Sequence, residues 1–136
     1  MKALTTAVYS QASGTTFMSY IGSRFYKGRA PAGSEYPYAV YKVVTTTPNP
    51  TFTEDFEDTI IQFSLFSIES GTEQIENMHA YLRAVYDEAI LTIADSTCVW
   101  MRREYTAFQP EEHTTPKGTR QVWSYHVEYT IKENLD

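Results

Sequence analysis

The chain has 136 residues, 42% hydrophobic and 15% aromatic, with a formal net charge of −6 and one cysteine, Cys98. This is the composition of one folded domain, 1–136, with a real core; it excludes a disordered chain, an internal disulfide and a CxxC metal knuckle. The acidic total argues against a DNA-wrapping role, which needs a basic face, and no apolar run approaches the ~18 residues of a membrane span.

The first residues, from Met1 to Tyr9, lack the long apolar core and cleavage site of a signal peptide. Residues 2–11 read as a short helix, because Ala3, Leu4, Ala7, Val8 and Gln11 recur at helical spacing. Ser13-Gly14 breaks it, and Phe17, Met18, Tyr20 and Ile21 form a short apolar cluster before Gly22. A basic loop, 22–35, follows with Arg24, Lys27 and Arg29 among Gly28, Pro31 and Gly33. It runs into an aromatic strand over 36–46, where Pro37 at the start pushes Tyr36 into an extended conformation.

Residues 47–51 hold two prolines and form a rigid connection, with the acidic residues Glu54, Asp55, Glu57 and Asp58 beyond it. A second strand spans 57–68, with Thr59, Ile61, Phe63 and Leu65 on its core face. Phe66 and Ile68 break that alternation, which implies a bulge or a strand end covered on both sides. Ser70 and Glu73 fit a capping box, with Thr72 as a rival N-cap, opening a helix that ends near 91–94. Its stripe is Ile75, Met78, Leu82, Val85 and Ala89. A third strand covers 97–108, a polar loop 109–118, and a fourth strand 119–131 with Trp123, Tyr125, Val127, Tyr129 and Ile131 alternating. The fold class this implies is α+β: an antiparallel four-stranded sheet with two helices packed on one face, in the order α-β-β-α-β-β.

Charge is uneven. Residues 1–50 carry a net +4, residues 51–112 a net −10, and the remainder balances. A basic and an acidic patch on one small domain suit head-to-tail pairing of copies, although solvated faces that maintain solubility would look the same in sequence.

No catalytic constellation emerges. His79, His113 and His126 lie far apart, and none has a partner at metal spacing. Cys98 sits in a strand beside Val99 and Trp100, as a buried inert thiol does. Gly28 and Gly33 lead into a strand, whereas a phosphate cradle leads into a helix. The expectation is no enzyme, no cofactor and no metal. Arg24, Lys27 and Arg29 with Phe25, Tyr26 and Tyr36 could form a nucleic-acid patch, but the total charge opposes it. Arg and Tyr are also the residues of protein–protein hot spots.

Taken in order, several segments form a pattern: Ile21-Gly22-Ser23-Arg24-Phe25-Tyr26, the turn Gly28-Arg29-Ala30-Pro31-Ala32-Gly33, and the strand Tyr36-Pro37-Tyr38-Ala39-Val40. The strand over 59–67 and the helix start at Ser70-Gly71-Thr72 complete it. This resembles the tail-completion, or tail-terminator, proteins of long-tailed bacteriophages and prophages, over about residues 3–131. The resemblance implies a structural virion protein at the head–tail junction, assembled in the host cytoplasm as a homo-oligomeric ring, usually a hexamer. Such a ring caps the head-proximal end of the tail tube, stops polymerisation of the major tail tube protein and docks to the head-completion or connector protein. DNA passes through its lumen without specific binding, and no membrane is involved. The alternatives are a head-completion or neck protein (stopper or adaptor) of the same junction, or a small nucleic-acid-binding module. Candidate contacts to a subunit or partner are Arg24, Lys27, Arg29, Tyr36, Glu54, Asp55, Glu57 and Asp58.

Overall fold

The computed structural model describes residues 2–116 and 118–136, so Met1 of the N-terminal reading and Lys117 of the expected polar loop lie outside it. The elements are α1 (Lys2–Ala12), α2 (Thr16–Tyr20), β1 (Phe25–Lys27), β2 (Tyr38–Pro48), β3 (Phe56–Ser67), α3 (Glu73–Tyr86), β4 (Thr97–Thr115) and β5 (Gly118–Asn134). They form a mixed five-stranded sheet in the order β1-β2-β3-β5-β4. β1 pairs parallel to β2, and the four longer strands pair antiparallel.

The expected four-stranded antiparallel sheet with two helices is therefore wrong: there are five strands, one of them parallel, and three helices among the described residues. Both additions come from the stretch read as an apolar cluster and a loop. Phe17 to Tyr20 belong to a helix of five residues, opened by Thr15, whose hydroxyl accepts from the Met18 N–H. Phe25, Tyr26 and Lys27 pair with Ala39, Val40 and Tyr41. Elements of five and three residues are too short to show a period, so only their partners reveal them.

α1 buries Leu4, Ala7, Val8 and Ala12 along one side. α3 buries Ile75, Met78, Leu82, Val85 and Tyr86. It starts at an N-cap, Thr72, whose side chain makes no cap hydrogen bond, so the Ser70–Glu73 capping box does not form. It also ends earlier than 91–94: Asp87 turns extended and Glu88 takes a φ of 56°, which stops the helical ladder at Tyr86.

All three helices share one core with one face of the sheet, built on Phe25, Tyr41, Phe63, Leu65, Val127 and Tyr129. Phe63 stacks on Tyr86 at 4.5 Å, and the Tyr86 hydroxyl donates to the Val8 carbonyl at 2.6 Å, tying α3 to α1. The opposite sheet face carries a second, smaller cluster of Tyr38, Val40, Phe66 and Val122, flanked by Tyr26, Ala30 and Tyr36. Phe66 thus breaks the alternation of β3 because that end of the strand is covered on both sides.

The polar stretch 109–118 is not an irregular loop either. β4 continues to Thr115 and β5 begins at Gly118, which pair directly across the turn. Most of this hairpin is exposed, so its strands carry no apolar alternation for a sequence reading to detect. Pro110 is tolerated because β4 is an edge strand, and bulges between Cys98 and Trp100 and between Arg103 and Tyr105 interrupt that edge.

Candidate assembly surfaces

β2 joins two ends of the molecule. At about 3.3 Å per residue, its 11 residues place Tyr38 and Pro48 roughly 33 Å apart. The basic loop meets the first end, and the acidic connection forms the second.

At the first end, Arg24 is turned inward. Its Nε donates to the Pro37 carbonyl at 2.9 Å, its Nη2 to the Tyr36 carbonyl at 3.5 Å, and its Nη1 lies 3.9 Å from Glu35 Oε2. The Tyr36–Pro37 peptide that it holds is cis. Gly22 makes room for this clamp: its φ is 58°, and a Cβ there would stand 2.9 Å from Arg24 Nη1. Lys27 and Arg29 are exposed. Tyr36 is half-buried, its ring 5.0 Å from that of Tyr38 and its hydroxyl 2.7 Å from His113 Nδ1. Burial, and then the neighbouring Tyr36, push the Tyr38 phenol above its usual range.

Beside this turn lies a half-buried polar network that the sequence scattered over three strands. The Glu111 carboxylate accepts from Ser124 Oγ at 2.5 Å and lies 2.5 Å from His126 Nε2 and 3.5 Å from His113 Nε2. His126 Nδ1 in turn lies 2.9 Å from Ser64 Oγ. Burial works to raise the Glu111 carboxyl, but the hydrogen bonds from Ser124, His126 and Gln109 outweigh it and hold it at about 2. The network ties β3, β5 and β4 together, and through His113 and Tyr36 it reaches the basic turn. The register of the β4–β5 hairpin brings these groups together, and the loop reading of 109–118 concealed that register.

The second end is a β2–β3 connection held by short-range bonds. The Thr51 N–H donates to the Glu54 carbonyl at 2.8 Å, the Glu54 N–H to the Thr51 hydroxyl at 3.0 Å, and the Asn49 N–H to the Phe56 carbonyl at 2.8 Å. The C-terminal residues brace it: the Leu135 N–H donates to the Asp55 carbonyl, and the Asp55 N–H to an Asp136 carboxylate oxygen. Glu54 and Asp55 are exposed at the tip, whereas Glu57 and Asp58 are half-buried in β3. Asp58 accepts from Asn49 Nδ2 at 3.2 Å and lies opposite Lys132 in register. Phe52, at the tip, is fully exposed at 109% of its reference accessibility.

The structure thus brings Arg24 together with Tyr36 and separates both from the acidic group by the length of β2. Elsewhere, His79 stacks on Tyr125 at 4.3 Å, and burial lowers its pKa. Cys98 is buried, which raises its thiol pKa and disfavours a thiolate. Among the described residues, no cluster of three or more His, Cys, Asp or Glu side chains is arranged to hold a metal ion, and no helix is long and apolar enough to cross a membrane.

Residues 2–127 match the sequence pattern of the family described as "Tail completion protein gp17". Among solved structures, the fold is similar to a chain in the "Virion of native gene transfer agent (GTA) particle", with 12% identity and a TM-score of 0.69 over 95% of this chain and 92% of that one. A second solved chain is 15% identical, with a TM-score of 0.57 over 96% of this chain and 94% of that one. At such identities the likeness is one of fold. No curated protein matches the chain by sequence.

Proposed function

The chain belongs to the tail completion protein gp17 family, which makes it a structural protein of the virion tail, and from that premise we propose that it is the ring-forming terminator of the tail tube. The ring, a hexamer in this reading, sits on the head-proximal end of the tube at the neck. There it blocks further addition of the major tail tube protein and offers its outer surface to the head-completion or connector protein, joining head to tail. DNA crosses the lumen without being held, since a ring with acidic loops neutralises few phosphates. The role is steric and interfacial, not chemical.

One observation carries the reading. The exposed cation Lys27 lies beside Tyr41 of β2, with Arg29 just beyond it in the chain, whereas the exposed carboxylates Glu54 and Asp55 lie beyond Pro48, so at about 3.3 Å per residue roughly 23 Å of β2 keeps Lys27 from pairing with them within one chain. Opposite charges held apart on one chain favour head-to-tail contact between copies, and a head-to-tail contact closes into a ring when its rotation allows.

The test is electron microscopy and native mass spectrometry of the protein, alone and mixed with cognate tail tubes. The expected result is a ring capping one end of each tube. The double variant Lys27→Glu/Arg29→Glu is expected to remain a folded monomer, with ring formation recovered when it is mixed with Glu54→Lys/Asp55→Lys. Arg24 is left intact in this test because its guanidinium holds the turn of its own chain. A protein that remains monomeric and ignores tail tubes refutes the terminator, and one that binds only the portal side is a head-completion protein instead.

A further inference from the structure

Phe52 is a large aromatic side chain presented by a pinned loop and packed against nothing in its own chain. Pro48 and Pro50 restrict the approach to the tip, and the bonds between Thr51 and Glu54 close it, so the backbone that carries the ring is already ordered and binding has only the side chain left to fix. At the far end of the sheet lies a groove of 440 Å³ between the basic turn and the β4–β5 hairpin, lined by Gly33, Ser34, Tyr36, Ile68, Pro116 and Arg120. Glu35 also borders it, with its carboxylate 3.9 Å from Arg24. Ile68 is an exposed apolar side chain there.

Resting on the ring reading, the geometry points to a second copy of this chain as the occupant of that groove: Phe52 of one subunit inserts against Ile68 and Tyr36 of the next. Charge gives the direction. Glu54 and Asp55 follow Phe52 on the same loop, and Arg120 stands on the wall of the groove, at the end of the sheet where Arg24 holds the turn. The apolar ring supplies the buried centre of the contact and the charges its rim, which is the anatomy of a protein–protein hot spot. Because the protruding residue and its groove lie on different surfaces, the contact is heterologous and propagates from subunit to subunit.

The experiment is disulfide trapping with the double variant Phe52→Cys/Ile68→Cys, mixed with tail tubes and oxidised, with buried Cys98 left in place. Non-reducing gels are expected to show a ladder of covalent oligomers ending at the ring, and neither single variant should yield more than dimers. In parallel, Phe52→Ala is expected to lose the ring by native mass spectrometry while its melting temperature stays that of the wild type. Intact rings that do not cross-link, or that survive Phe52→Ala, overturn this contact and leave the terminator reading standing. A wild-type protein that forms no oligomer, alone or on tubes, overturns both.

Discussion

The two ends of β2 are built in opposite ways. At the basic end the turn is internally bonded: Arg24 holds two backbone carbonyls, Tyr36 bonds His113, and Phe66 and Tyr38 share a buried cluster. At the acidic end the backbone is braced, but the tip side chains Phe52, Glu54 and Asp55 touch solvent. The difference teaches which half of a contact each end suits. A receiving surface must keep its shape before the partner arrives, so it invests in internal bonds. A presented side chain needs a fixed backbone and a free surface.

The same residue type occurs at both ends, which makes the comparison testable. Phe66 is buried against Tyr38, with ring centroids 5.0 Å apart, and lies 5.1 Å from the His113 ring. Phe66→Ala is expected to lower stability by about 3–5 kcal/mol, as large-to-small changes at buried aromatic sites do, measured by urea unfolding. A loss under about 1 kcal/mol would mean that the basic end is as loosely packed as the acidic one.

Glu111 comes next. Glu111→Gln keeps the shape but removes the anion on which Ser124 and His126 converge, and the expected loss is about 1–3 kcal/mol near neutral pH. The sign of the pH dependence follows from a carboxyl held at about 2, below its ordinary 4.5. Its contribution is fully present above pH 4.5 and is lost as pH falls through 2, so the wild type should lose stability across that window faster than Glu111→Gln. Parallel acid-unfolding curves for the two proteins would show that the network does not hold the hairpin. The smallest effect belongs to the other end. Phe52→Ala should change the unfolding free energy by less than about 0.5 kcal/mol, because the ring packs on nothing within its own chain. A larger loss would show that the tip belongs to the folded core after all.

The stripe of α3 and the alternation of β3 and β5 were legible in the sequence because each runs long enough to repeat its period while one side faces a core. The basic and acidic groups were equally legible as runs of charge. Their separation was not, since it depends on β2 running as one strand, bulged between Val43 and Thr45, toward the acidic connection. Arg24 read as a cation offered to a partner, yet it lies on its own turn, because the chain returns at Tyr36 and Pro37 to place two carbonyls beside it.

By itself the sequence determined an acidic chain of α+β composition, the approximate positions of its long amphipathic elements, and a turn-and-strand pattern pointing to a tail-completion family. Those are properties of local composition and short repeats, which a linear reading contains in full. The tertiary structure alone decided that Phe25 to Lys27 form a parallel strand and that residues 109–115 continue an edge strand. It also decided that Glu111, His126 and Ser64 meet and that Phe52 stands clear of its own chain. Each depends on which distant segment lies alongside, and a pairing across dozens of residues leaves no period in the stretch that makes it.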